Sequence, residues 1–140
     1  MKYIRIYCEP TFDYLFTFEH IFYQMSSNLK PVDFNHLDGI VNGDENFKKE
    51  LISIFLEQIP DFINNMKLFL EKENSEKLAR EAHTAKSSAM IFGMTDAGKL
   101  LKEIQLLAEN KNTSEIIPAL KLVESEFENA KIQLLKFLNQ

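Results

Sequence analysis

The chain of 140 residues has one cysteine, four glycines, four prolines, and sixteen basic residues against twenty-one acidic ones. Each shortage closes off a class of function. Cys8 has no internal partner, so a disulfide scaffold is excluded and the chain suits a reducing cytoplasm. The glycines stand at 39, 43, 93 and 98. They form neither GxGxxG nor GxxxxGK(S/T), so nothing in the chain is built to cradle a nucleotide's phosphates. A net charge of -5, with no basic cluster longer than Lys48-Lys49, lacks the cationic face that sequence-independent nucleic-acid binding needs. Long apolar runs are missing too. The densest one in the first part, Phe12 to Met25, contains Asp13, Glu19 and His20. It is too short and too charged to span a bilayer or to serve as a signal-peptide core.

What the chain does have is apolar side chains, 45% of its residues, enough for one core in one domain. They divide it in two. Residues 1–30 hold all four tyrosines and four of the twelve phenylalanines, and their charges cancel, so the whole excess of acid belongs to residues 31–140. Lys30-Pro31 punctuates the two parts. In the first, Phe12, Leu15, Phe16 and Phe22 share one helical stripe, and Tyr14, Phe18, Ile21 and Met25 share another. A helix apolar on two sides wants two partners. The expectation is an added helix packed on the rest, with self-association or docking of a kinase through residues 1–30 as the alternative.

From Pro31 onward the apolar spacing is helical, with no sustained period-two alternation. Asp33 caps a short helix expected to reach about Leu37, before Asp38-Gly39. Gly43-Asp44 opens a long helix whose expected stripe is Phe47, Leu51, Ile54, Phe55, Phe62, Met66 and Phe69, with a kink or a break at Pro60. Asn74 or Ser75 opens the next, with Leu78, Ala82, Ala85, Ala89 and Phe92 on its core side and Gly93 at its end. Thr95-Asp96 is expected to cap a fourth, carrying Leu100, Leu101, Ile104, Leu107 and Ala108. Thr113-Ser114 precedes the last, with Ile116, Leu120, Val123, Phe127, Ala130, Leu134 and Phe137, and Pro118 in its first turn. Short joins make consecutive helices antiparallel neighbours. The expected fold is all-α, an up-down-up-down four-helix bundle over residues 31–140 with a short leading helix.

Function must then come from a site. His83 lies next to Ala82, rotated by about 100° from the core stripe, and so points to solvent at the stripe's edge. Its neighbours on that face are Ala79, Arg80, Lys86, Ser87 and Met90. Two cations and small side chains suit a nucleophile that receives a doubly negative phosphoryl group, since the cations offset charge and the small residues leave room for a partner. An ordinary histidine titrates at about 6.5, which leaves most of the ring neutral and nucleophilic at neutral pH. Lys86 is a mobile point charge able to follow a phosphoryl oxygen, and Ser87 or Ser88 offers a hydroxyl. His20 and His36 have no partner at metal-ligand spacing, and no ExxH pairs face one another as a bundle metal site would require.

The string Ala82-His83-Thr84-Ala85-Lys86-Ser87-Ser88-Ala89, with Gly93 ten residues after the histidine, resembles the signature of histidine-containing phosphotransfer (HPt) domains, which reads roughly Ala-His-x-x-Lys-Gly-Ser. The resemblance extends over residues 33–138. It implies that His83 is the phosphoacceptor, that Lys86 binds phosphate, and that Gln105, 22 residues on, approaches the ring. Arg80, Ser87 and Ser88 would support the site, and Ala79 and Met90 would meet the partner. Implied partners are response-regulator receiver domains and a hybrid histidine kinase, with neither nucleic acid nor membrane. The implied protein is a cytoplasmic phosphoryl carrier rather than an enzyme, without a cofactor of its own, because Mg²⁺ is expected in the receiver. Two positions depart from the pattern. Ser87 replaces a glycine where a receiver's aspartate must come close, and Ala85 replaces a leucine, which leaves the nearby core looser or filled from another helix. A helical adaptor that binds a receiver or kinase without accepting phosphate is the alternative from a different class.

Overall fold

The computed structural model describes residues 30–140. The added helix, the two aromatic stripes, Cys8, His20 and the self-association expected of residues 1–30 all lie outside the described residues, apart from Lys30 itself. Among the described residues there are five α-helices and one 3-10 turn, and no strand. They are α1 Phe34–Val41, α2 Glu45–Glu71, α3 Ser75–Ile91, α4 Thr95–Glu109 and α5 Ile116–Leu138, with the 3-10 turn at Thr113–Glu115 leading into α5. Helices α2 to α5 pack in a ring, α2 on α3, α3 on α4, α4 on α5 and α5 on α2, while α1 lies against α2 and α3. This is the expected four-helix bundle with a short leading helix. No described helix is long and apolar enough to cross a membrane.

Three of the expected caps hold, each by one hydrogen bond. The Asp33, Asp44 and Asn74 side chains accept from the backbone N–H of His36, Phe47 and Lys77 at 3.0–3.1 Å. α1 runs on past Leu37, through Asp38-Gly39, to Val41. Leu37 and Val41 lie one turn apart and both are buried, and their burial outweighs the turn tendency of the Asp-Gly pair. The chain leaves α1 through Asn42 and Gly43, both at positive φ.

α2 is a single helix through Pro60, so the alternative of two helices does not hold. The proline lies on the exposed side. Its core stripe is also turned from the expected one. Lys48, Ile52, Phe55, Ile59, Phe62, Ile63 and Met66 are buried, whereas Phe47 and Ile54 are exposed. The buried series has the same three-and-four spacing, but a lysine at its start disguises it. At α4 the expected Thr95-Asp96 cap is displaced. Met94 takes the cap position without a side-chain hydrogen bond because its own side chain is needed in the core, and Asp96 instead sits in the first turn, where a negative charge suits the helix dipole.

The core is aromatic at its centre. Phe55 stacks on Phe92 at 4.5 Å between ring centroids and meets Phe127 edge-on at 5.9 Å. The predicted stripes of α3 and α5 are buried as expected, except that Phe137 is only partly covered. Ala85 is fully buried, so its short side chain leaves no exposed gap beside the site. Pro118 falls in the first turn of α5, where its missing N–H breaks no helical bond. The chain ahead of α1 is tied to α5: Val32 N–H donates to Gln133 Oε1 at 2.9 Å, and Gln133 Nε2 donates back to the Val32 carbonyl at 3.4 Å.

Candidate functional site

α3 owes its shape to alanine. Leu78, Ala79, Ala82, Ala85 and Ala89 form its buried side, and α4 answers with Ala97, Gly98 and Ala108. The helix ends where Gly93 adopts φ +66°, and Asp33 N–H donates to the Phe92 carbonyl at 2.9 Å. A Cβ on Gly93 would stand 2.7 Å from Asp33 Cβ and 3.2 Å from His36 Cβ. Both the backbone angle and the crowding therefore require glycine, which seats α1 over the end of the histidine helix.

One residue past the buried Ala82, His83 is exposed as expected. It borders a shallow depression between α3 and α4 of about 700 Å³, whose lining also includes Ala79, Arg80, Thr84, Gln105 and Glu109. Gln105 thus borders the same depression as His83, across the seam between α3 and α4. Gln105 Nε2 donates to Glu109 Oε1 at 3.0 Å, while its own Oε1 is buried without a hydrogen-bond partner. A buried carbonyl oxygen lacking a donor is unfavourable.

Lys86, one turn beyond His83, is half-buried and has no ion pair among the described residues, so its charge is uncommitted. Arg80, one turn before, is bound to Glu76 at 2.7 Å. Both partners are about three-quarters exposed, so this is a weak surface pair. Ser87 Oγ donates to the His83 carbonyl at 3.2 Å, so its hydroxyl is engaged with the backbone rather than aimed at the ring.

Two expected assignments need correction. Ser88 lies about 140° round the helix from His83 and is half-buried, so it does not share the histidine's face. Ala79, expected to meet a partner, is only 8% exposed and belongs to the wall of the depression. Met90 is 39% exposed on the histidine's side. The sequence reading missed Glu109 and Lys111, which also border the depression. Lys111 sits in the α4–α5 turn at φ +58°, a conformation that its residue type does not announce. Among the described residues no three of His, Cys, Asp and Glu gather as a metal site.

Comparison with known proteins points the same way as this geometry. The family model for the Hpt domain matches residues 50–135. The chain is 31% identical over 62 residues to phosphorelay intermediate protein YPD1 of Candida albicans, a stretch that is 44% of this chain and 34% of the relative. It thus spans about a third of that relative's length. The crystal structure of histidine-containing phosphotransfer protein B from Pseudomonas aeruginosa matches with a TM-score of 0.72 at 17% identity, covering 76% of this chain and 92% of that one. At that identity the likeness is one of fold.

Proposed function

Since the chain belongs to the Hpt domain family, we propose that it is a phosphoryl carrier of a two-component phosphorelay, with His83 as the acceptor. A neutral ring nitrogen of His83 attacks the phosphorus of a receiver's aspartyl phosphate. The P–O bond to the aspartate breaks, the carboxylate leaves, and a P–N bond forms; transfer to a second receiver runs the same exchange in reverse. The ammonium of Lys86 pairs with the oxygens of the moving group, and the Gln105 carbonyl accepts from the N–H of the nitrogen that does not react. Mg²⁺ belongs to the receiver in this reading, and transfer is catalysed by the two proteins together, with a hybrid histidine kinase upstream in the cytoplasm. Phosphoryl transfer depends mainly on positioning and electrostatics, which is why so sparse a set of groups suffices.

The observation that carries the reading is an exposed His83 that shares a depression with Gln105 and stands one turn from an uncommitted Lys86. Incubation with a phosphorylated receiver domain should place an acid-labile, base-stable label on this chain, and His83→Ala should abolish it with the circular dichroism spectrum unchanged. Lys86→Ala should slow transfer without unfolding the bundle. A label retained by His83→Ala refutes the assignment. Tight receiver binding without any label would leave the non-phosphorylated adaptor.

A further inference from the structure

We propose that Gly98 is a positioning residue for the face around His83, a notch in α4 that seats the Met90 thioether and passes the stem of Lys86. The inference rests on the reading of His83 as phosphoacceptor.

Gly98 is buried in the first half of α4, where glycine is less favourable than alanine by about 1 kcal/mol. Its φ is not positive, so the backbone does not require it. The reason lies in what a side chain would meet. A Cβ there would stand 2.6 Å from Met90 Sδ, 3.5 Å from Met90 Cγ and 4.0 Å from Lys86 Cγ. All three are side-chain atoms of α3, and its backbone is not among them. An added methyl would therefore leave the helices where they are and move the side chains. Carbon and sulfur need more than about 3.5 Å, so the sulfur would have to retreat by roughly 1 Å.

That retreat has one open direction, outward. Met90 is already 39% exposed and follows His83 by seven residues, two turns along the same side of α3. A receiver that reaches His83 covers about 800 Å² of this chain and so meets Met90 as well. On α4, Gly98 and Gln105 are likewise seven residues apart. One lies under Met90 and Lys86, the other borders the depression with His83. The glycine sets how far the far end of the docking face stands out.

The test is a double-mutant cycle on the full chain with two phosphodonors. Phosphoramidate is small, needs no docking face, and labels His83 by exchanging its P–N bond to ammonia for one to the ring. A phosphorylated receiver domain that labels the wild type is the second. Gly98→Ala is expected to leave phosphoramidate labelling, kcat and Tm unchanged, or to raise Tm, while KM for the receiver rises about fivefold. In a Met90→Ala background, adding Gly98→Ala is expected to change KM by less than about twofold, because the colliding sulfur is gone. A wild-type KM in Gly98→Ala, the same loss in both backgrounds, or a lowered Tm would overturn the proposal. A wild type labelled by neither donor would instead overturn the phosphoacceptor reading on which it rests.

Discussion

Lys48→Ala should destabilise the bundle by about 2–3 kcal/mol, far more than a lysine on a helix surface would. The side chain is only 5% exposed. Its ammonium lies 2.5 Å from Asp38 on α1, 4.4 Å from the ring centre of Phe137 on α5 and 5.6 Å from that of Phe34 on α1. One residue of α2 therefore ties three helices together. Alanine removes three buried methylenes at about 0.8 kcal/mol each, near 2.4 kcal/mol. The cation–π contact adds about 1 kcal/mol. The ion pair adds at most about 1 kcal/mol, because Asp38 is half exposed and can be hydrated when released. Against these stands the relief of a desolvated ammonium, of which roughly 1–2 kcal/mol remains once its partners are counted.

Lys48→Met separates the parts, since it keeps most of the stem and loses the charge. The cation–π and ion-pair losses then nearly cancel the desolvation relief, so this variant should stay within about 1 kcal/mol of the wild type. Urea unfolding followed by circular dichroism measures both, and thermal melts should show Lys48→Ala lower by roughly 10 °C at about 4 °C per kcal/mol. The reasoning is refuted if Lys48→Ala unfolds within about 0.5 kcal/mol of the wild type, or if the methionine variant is as unstable as the alanine one.

Glu126 is 7% exposed, and burial, with a smaller push from the charge of Asp96, raises its pKa above 4.5. The folded state thus holds this proton more tightly than the unfolded chain, so stability from the group is full below 4.5 and is lost as pH rises through the raised value. Glu126→Gln should consequently gain stability over the wild type at about pH 7 and lose that gain at about pH 4; an equal difference at both pH values would contradict the assignment. Ser87→Gly should lower stability by about 0.5 kcal/mol, since glycine is the poorer helix former. It should also speed transfer from a phosphorylated receiver in rapid-quench measurements by clearing the hydroxymethyl group beside His83; unchanged or slower transfer would show that Ser87 does not obstruct the partner.

Much of this was legible because α3 and α5 carry unbroken stripes, and because His83 follows a core alanine directly. Three-and-four spacing fixes which side is buried, and the neighbour of a core position has to emerge at the edge. Asp33, Asp44 and Asn74 were readable for a local reason, since capping needs only a short polar side chain and the next three amides. What escaped was set by tertiary contact. Lys48 reads as a surface residue until Phe34, Phe137 and Asp38 surround it. Met94 occupies a cap position because the core needs its side chain. Gly98 looks like a weak point in a helix, and only the Met90 sulfur explains it. Ser88 is expected to support the site from the resemblance, and the helical period turns it away from His83.

The thin core of α3 bears on the site more than on stability. Alanine buries little apolar surface, so this helix contributes less to the hydrophobic ledger than α5, with its Ile116, Leu120, Val123, Phe127 and Leu134. In exchange those alanines lose no side-chain entropy and have no rotamers to rearrange. Small residues on both sides of the seam also let the α3 and α4 backbones approach closely. That approach brings Gln105 to the same depression as His83 and leaves Met90 and Lys86 resting on Gly98. Leucines along the seam would bury more surface and push α4 away, parting the groups that the proposed transfer brings to one phosphoryl group. For a reaction governed by positioning, a close and rigid seam matters more than the extra burial.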